Sequence, residues 1–272
     1  EYFHQFDFII GDEAHLFKAQ SLVSIMSNCI NAKYRIGLTG TLDGTKTHKL
    51  VLEGLFGPVQ KVTTTKELMD NKQIADFSIK CLVLKHDDEV CQLMKGKTYQ
   101  EEIEYLILNE TRNKFIKNLA VSLSGNSLIL YQYVDKHGKI LYDMITRTEK
   151  IGTRKVFFVY GKTDTETREE VRRITEEEND AIIVASLGTF STGINIRNLH
   201  NIIFASPSKS QIRVLQSIGR GLRKSTRNTK VYDIADDLHW KTNKNYTLNH
   251  AAERIKIYSK EKFDYELFEI NI

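Results

Sequence analysis

Apolar residues along this chain fall into short, nearly unbroken blocks, separated by longer stretches in which they recur every third or fourth position. The block "FDFIIG" (6–11) reads as a buried strand and "YRIGLTGT" (34–41) as a short strand ending in a Gly/Thr loop, while "SIKCLVLKH" (78–86), "NSLILYQYV" (126–134), "KVFFVYG" (155–161), "DAIIVAS" (180–186), "HNIIFAS" (200–206) and "KVYDIAD" (230–236) read as further strands. Between them, "SLVSIMSNCI" (21–30), "THKLVLEGLFG" (47–57), "YQEEIEYLILNETRNKFIKNLAVSLS" (99–124) and the charged "TDTETREEVRRITEEEND" (163–180) read as helices, the second stopped by Gly57 and Pro58. "LNHAAERIKIYSKEKFDYELF" (248–268) is expected to close the chain as one helix, with Tyr258, Phe263 and Tyr265 packing on the domain before it. Strands alternating with helices predict an α/β fold of parallel sheets flanked by helices. The polar "DNKQIADF" (70–77) predicts a boundary near Asp76, giving two lobes, 1–76 and 77–272.

Two adjacent carboxylates, Asp12 and Glu13, and His15 follow directly on the first strand. The carboxyl ends of strands in an open α/β sheet are where ligands bind. Acidic residues there equally suit the start of a helix, whose dipole they complement. These residues alone leave both readings open.

At 272 residues, 41% hydrophobic and 27% charged, the chain has the makings of a sizeable core. No apolar run approaches the roughly 18 residues that cross a bilayer, and no signal-like segment opens the chain, so a soluble cytoplasmic protein is expected. Cys29, Cys81 and Cys91 lie far apart without a CxxC pair and are expected as reduced, partly buried thiols. The net charge of +4 carries little, but its distribution does. Between Ser206 and Tyr232 stand Lys209, Arg213, Arg220, Arg223, Lys224, Arg227 and Lys230 with no acidic residue among them, a local field that favours phosphates.

Two "GKT" triplets, Gly96-Lys97-Thr98 and Gly161-Lys162-Thr163, invite a phosphate-loop reading. That loop needs a glycine five residues earlier so the backbone can wrap the phosphates, and Cys91 and Val156 stand there instead. "GRGLRK" from Gly219 lacks the third glycine of a dinucleotide fingerprint. The chain opens on Glu1 and enters a core strand almost at once, so a piece of a longer protein is expected.

The ordered set "IIGDEAH" (9–15), "GLTGT" (37–41), "LILYQYV" (128–134), "VASLGTFSTGINI" (184–196) and "QSIGRGLR" (216–223) resembles motifs II to VI of a superfamily 2 helicase of the DEAH-box-like kind, closest to phage recombination and repair helicases. The resemblance covers nearly the whole chain. It implies two RecA-like lobes, the first truncated, with the Walker A lysine upstream of this chain. It implies an ATP-dependent helicase acting on branched or forked DNA, with RNA:DNA hybrids as further substrates, ATP and Mg²⁺ as cofactors, a monomer, and the host cytoplasm as location if phage-encoded.

By the same resemblance, Asp12 holds Mg²⁺, Glu13 lies beside it and orients the attacking water, and His15 couples that site to Thr39, Gly40 and Thr41. Arg220 and Arg223, three apart on one helix face, point at the phosphates, and Gln216 precedes them by one turn. Ser186 and Thr189 are implied contacts to the nucleic-acid backbone; Gly193 and Asn195 lie near the nucleotide. The family often has aspartate at the position of Asn195, and Gly188 and Gly193 equally suit tight turns. Without its upstream part the chain is expected to be inactive. A metal-dependent nuclease using Asp12 and Glu13 is the alternative; it needs further carboxylates and leaves Arg220 and Arg223 unexplained. A non-catalytic nucleic-acid-binding fragment is a third reading.

Overall fold

A computed structural model describes residues 1–40, 42, 46–64, 67, 70–71, 77–192, 198–206 and 229–272. The chain divides into two compact units, Glu1–Thr64 and Thr65–Ile272. Asp76, the expected boundary, lies outside the described residues.

In the first unit, β1 (Phe8–Gly11) and β2 (Tyr34–Gly37) pair in parallel, and α1 (Gln20–Asn28) and α2 (Lys46–Phe56) complete it. Phe56 of α2 lies flat against the strand ends. A Cβ on Gly11 or Gly37 would come within 2.7 or 2.9 Å of its ring, so both strands must end on glycine. Phe8, Ile10, Tyr34 and Ile36 are exposed.

The second unit is a seven-stranded, wholly parallel sheet in the order β5-β6-β4-β7-β8-β3-β9. Its strands are β3 (Phe77–Lys85), β4 (Ser127–Tyr131), β5 (Val156–Val159), β6 (Ile182–Ser186), β7 (Asn201–Phe204), β8 (Thr229–Asp237) and β9 (Tyr265–Asn271). Among the described residues the helices are α3 (Asp88–Met94), α4 (Tyr99–Leu108), α5 (Glu110–Ser122), α6 (Lys139–Thr146), α7 (Thr165–Glu177), α8 (Leu187–Thr192) and α9 (Tyr246–Lys260). Successive strand residues serve opposite faces, as the period of two demands. Leu128, Leu130, Ile183, Ile202 and Val231 pack with Val171 of α7 and Tyr258 of α9, while Ile129, Tyr131, Val184, Ile203 and Ile234 pack with Ile116 of α5 and Leu141 of α6. Covering on both faces explains why the strands read as unbroken apolar blocks. All three cysteines are buried and free.

Three local expectations need correction. The stretch 99–124 is two helices, because Asn109 takes extended backbone angles and accepts the Arg112 amide on its side chain, capping α5. The block 126–134 is a strand only as far as Tyr131, and Val134–Gly138 forms a single π-helical turn. That turn presses Gly138 onto the Tyr131 ring, where a Cβ would stand 2.4 Å from ring atoms. The closing segment is a helix only to Lys260; Lys262, in the left-handed region, ends it, and β9 then pairs with β3 at the sheet edge. Tyr258 and Phe263 are buried and Tyr265 packs against them, in line with their expected packing role. Thr98 caps α4 in a reciprocal box with Glu101, and Thr163 closes a turn on Tyr160, so both "GKT" triplets are turn and cap structures.

Buried charge organises the carboxyl-terminal part of β8. Asp233 and Asp236 point to opposite faces, and an arginine meets each one. Arg254 of α9 lies 2.8 Å from Asp233, which also accepts from the Tyr258 hydroxyl at 2.9 Å. Arg112 of α5 donates from Nε to Asp236 at 2.8 Å and from Nη2 to the Ala205 carbonyl at 2.8 Å. Burial pushes the Asp236 carboxyl up, but the Arg112 charge and hydrogen bonds from His86 and Arg112 outweigh it and hold the group below its usual range. Glu102 of α4 likewise caps α9 from outside, accepting the Tyr246 and Thr247 amides at 2.9 and 2.7 Å.

His137, in the π-helical turn, is fully buried and lies near Arg112. Burial and then the Arg112 charge push its pKa down to about 3, against a weaker upward pull from Asp236. The unfolded chain takes up a proton on this ring near pH 6.5, which the folded chain refuses until far lower pH. Stability therefore falls as pH drops below about 6.5. The loss between pH 7 and 5 should be roughly 2 kcal/mol from this group alone, and His137→Gln should flatten that part of a urea-unfolding pH profile. Gly138→Ala should lower stability by about 1–3 kcal/mol through the clash with Tyr131, read as a lower urea midpoint at unchanged slope.

Candidate nucleotide and nucleic-acid site

Just beyond β1, the backbone pairing continues past the strand: the Leu38 amide donates to the Gly11 carbonyl and the Ala14 amide to the Leu38 carbonyl, each at 2.8 Å. Between these anchors Asp12 and Glu13 are pushed out to solvent. Glu13 adopts φ 48° and ψ 48°, a left-handed conformation that costs a non-glycine residue about 1–2 kcal/mol. The Asp12 carboxylate accepts the Glu13 amide at 2.8 Å. Only a short 3₁₀ turn, Ala14–Leu16, follows; α1 starts at Gln20. The acidic pair therefore sits on a strand-end turn and not in the first turn of an α-helix.

His15 is buried, and its Nδ1 lies 3.0 Å from Thr39 Oγ1 and 3.2 Å from a Glu13 carboxylate oxygen. One imidazole thus touches both the acidic turn and the "TGT" loop. Gly40 is described with open space where a Cβ would stand, and Thr41 lies outside the described residues.

No group of three or more His, Cys, Asp or Glu side chains among the described residues is arranged to hold a metal by itself. That donor set still fits Mg²⁺, which is usually bound through one or two carboxylates together with water and phosphate oxygens. Asp12, exposed at a strand end, offers such a carboxylate, with Glu13 beside it.

In the second unit, Ser186 ends β6, in register with Tyr131 of β4. Its hydroxyl lies 2.6 Å from the Thr189 hydroxyl and accepts the Thr189 amide at 3.3 Å. Both side chains are buried, so in this arrangement they bond to each other at the start of α8. Gly188 lies inside α8 without a positive φ and with nothing within 4 Å of a built Cβ, so neither a tight turn nor packing demands glycine there. Gly193, Asn195, Gln216, Arg220 and Arg223 lie outside the described residues.

What sequence reasoning missed is the polar cluster at the carboxyl ends of β4, β7 and β8. Arg112 holds the Ala205 carbonyl, and Ser206 Oγ accepts the Gln132 amide at 3.1 Å and lies 3.0 Å from His137 Nδ1. Arg112 is embedded in an ordinary helical charge pattern, and only the unusual "DIADD" in a buried strand hints that a cation must reach it.

Residues 110–225 match the family described as the helicase conserved C-terminal domain. Over its whole length the chain is 39% identical to the ATP-dependent DNA helicase uvsW of Enterobacteria phage T4, and it spans 56% of that protein. The crystal structure of T4 UvsW matches the whole chain with a TM-score of 0.63 at 36% identity, the chain covering 55% of it. Dbp5 of S. cerevisiae, bound to RNA and ADP BeF3, shares the fold alone, with a TM-score of 0.59 at 13% identity over 97% of this chain and 59% of its own. The chain is thus similar to helicases both in sequence and in its parallel RecA-like sheet, and it spans little more than half the length of the relative it matches from end to end.

Proposed function

We propose that this chain forms part of a longer ATP-dependent DNA helicase or translocase that remodels branched or forked DNA in recombination and repair, with RNA:DNA hybrids as further substrates. In this reading residues up to about Asp76 belong to the first RecA-like domain and the remainder forms the second, in a monomer working in the host cytoplasm. The observation that best supports it is the contact of His15 with both Glu13 and Thr39, at 3.2 and 3.0 Å, which joins the acidic motif to the loop after β2. A cap or a surface acidic pair has no need of a buried histidine bridging to a second loop.

The chemistry follows from the residue types. Mg²⁺, when bound with ATP, neutralises phosphate charge. Asp12 would hold that cation, and Glu13, on its left-handed backbone, would orient the attacking water and accept its proton. His15 keeps the Glu13 carboxylate and the Thr39 hydroxyl in fixed relation. Arg220 and Arg223 stabilise the charge that develops on the departing phosphoryl group. Ser186 and Thr189, with the basic residues from Lys209 to Lys230, supply contacts to the nucleic-acid backbone. The similarity to T4 uvsW favours DNA as substrate.

In the full-length protein, Glu13→Gln should leave Mg-ATP and DNA binding in place and lower turnover by about 10²- to 10⁴-fold. Phosphate release measured beside nucleotide-binding titrations tests this, and unaltered turnover would reduce the acidic pair to a structural turn. The 272-residue chain alone carries no phosphate-wrapping loop, and positioning catalysis fails when the phosphates are not held. It should release no phosphate from ATP, with or without forked DNA, and retain weak nucleic-acid binding that declines steeply between low and moderate salt. Cleavage of DNA with Mg²⁺ and no ATP would instead favour the nuclease reading.

A further inference from the structure

The carboxyl end of β7 is held by side chains that no motif accounts for. The two residues that follow it, Ala205 and Ser206, are buried and precede the basic stretch 207–228 in sequence. The Ala205 amide donates to the Leu130 carbonyl at 3.0 Å, and its carbonyl accepts from Arg112, itself locked to Asp236. Ser206 enters a chain of hydrogen bonds whose direction is set at both ends.

At one end, Asn113 Nδ2 donates to the Ile107 carbonyl at 2.8 Å, so the Asn113 oxygen faces His137 Nε2 at 3.2 Å. That oxygen only accepts, so Nε2 must carry a proton. The ring is neutral, held so by burial and by Arg112, and a neutral imidazole has a single N–H. Nδ1 therefore accepts, and the Ser206 hydroxyl donates to it at 3.0 Å. At the other end the Gln132 amide can only donate, and Ser206 Oγ accepts it at 3.1 Å. Every member is thus assigned one role: Gln132 amide to Ser206, Ser206 to His137, His137 to Asn113, Asn113 to Ile107.

A buried polar chain of this kind adds little net stability over an apolar core of the same shape, since each bond replaces one to water. What it adds is direction, because only one arrangement satisfies all its members. We propose that His137 and Ser206, with Arg112 on the neighbouring carbonyl, are positioning residues for ATP turnover: they fix Ala205 and Ser206, the residues to which the stretch of sequence carrying Arg220 and Arg223 is joined. This inference rests on the helicase reading above. His137 and Ser206 touch no reacting group; they act through the segment that follows.

The test uses nucleic-acid-stimulated ATP hydrolysis by the full-length protein. His137→Ala should lower kcat about 10- to 100-fold, the scale of a displacement near 1 Å at a catalytic group, with the KM for ATP moving much less. Ser206→Ala should act in the same direction and carries the comparison if His137→Ala does not fold. The double variant should be no slower than the slower single, because both break one chain. His137→Gln should recover most of kcat, since its amide offers an acceptor and a donor about as far apart as the ring nitrogens. Val171→Ala in α7, matched for loss of thermal midpoint, should leave kcat near wild type. If kcat instead tracks thermal midpoint across all these variants, or if His137→Ala and Ser206→Ala both turn over normally, the positioning role is overturned. A wild-type protein that hydrolyses no ATP with nucleic acid present overturns the helicase reading itself, whereas an active wild type with indifferent variants overturns only this inference.

Discussion

A carboxylate buried in the middle of a parallel sheet must be met by a cation, and the second unit is arranged around that requirement at Asp236. Left unpaired in a fully buried site, such a group would be strongly destabilising; removing one partner of a buried pair typically costs about 3–5 kcal/mol. Arg112 must therefore reach Asp236, which fixes how α5 lies on the sheet. The same guanidinium holds the Ala205 carbonyl, so the position of α5 and the end of β7 become one constraint. His86 adds a contact to Asp236 from β3's end at 3.2 Å. Strands β3, β7 and β8 are thus tied at their carboxyl ends by polar groups, while their middles are joined by apolar packing.

The alternation of β8 repeats the device on the other face. Asp233 and Asp236, odd-numbered apart, cannot share a side, and each recruits its own arginine from its own helix layer. Replacing either pair with apolar residues of matched shape would leave stability little changed or improved. What would be lost is a unique seating for α5 and α9, since apolar surfaces slide over one another more readily than a two-pronged guanidinium leaves its carboxylate. Glu102 contributes in the same sense by capping α9 from α4, with four donors converging on one carboxylate. Polar contacts choose the arrangement, and the two apolar layers supply the energy that holds it.

The strands of the second unit were legible because burial on both faces demands unbroken apolar blocks; β1 and β2 also fall on such blocks, although the expectation that β1 is buried does not hold, since Phe8 and Ile10 are exposed, as are Tyr34 and Ile36 of β2. Less was legible where a single residue overrode a long pattern. Asn109 breaks a helical periodicity that runs smoothly through it, because its side chain competes with the helix for the Arg112 amide. β9 was hidden because "YELFEI" at a sheet edge carries charged residues on a mostly exposed strand, and such a pattern extends a preceding helix equally well. The acidic turn, His15 and Thr39 were visible as a motif, and their mutual contact is local to neighbouring strand ends. The Arg112–Asp236 pair joins residues 124 positions apart, and no local signal marks either as the other's partner. Burial of Ser186 and Thr189 was equally hidden, since hydroxyls serve as readily to cap a turn as to face a ligand.

The two units hold these segments by different means. Asp12 and Glu13 are exposed on a turn whose flanks are pinned by backbone hydrogen bonds and whose strain is local to one left-handed residue. Ala14 and His15 of that turn are buried, and His15 contacts the next loop through Thr39. Just past the end of β7 the arrangement is the opposite: Ala205 and Ser206 are buried and held by side chains. Buried donors and acceptors, each with one admissible role, fix these two residues. Motif residues have recognisable types and spacing and so are readable in sequence; the residues that hold the end of β7 are set by the geometry of the fold, and they are an arginine, a histidine and a serine with no motif of their own.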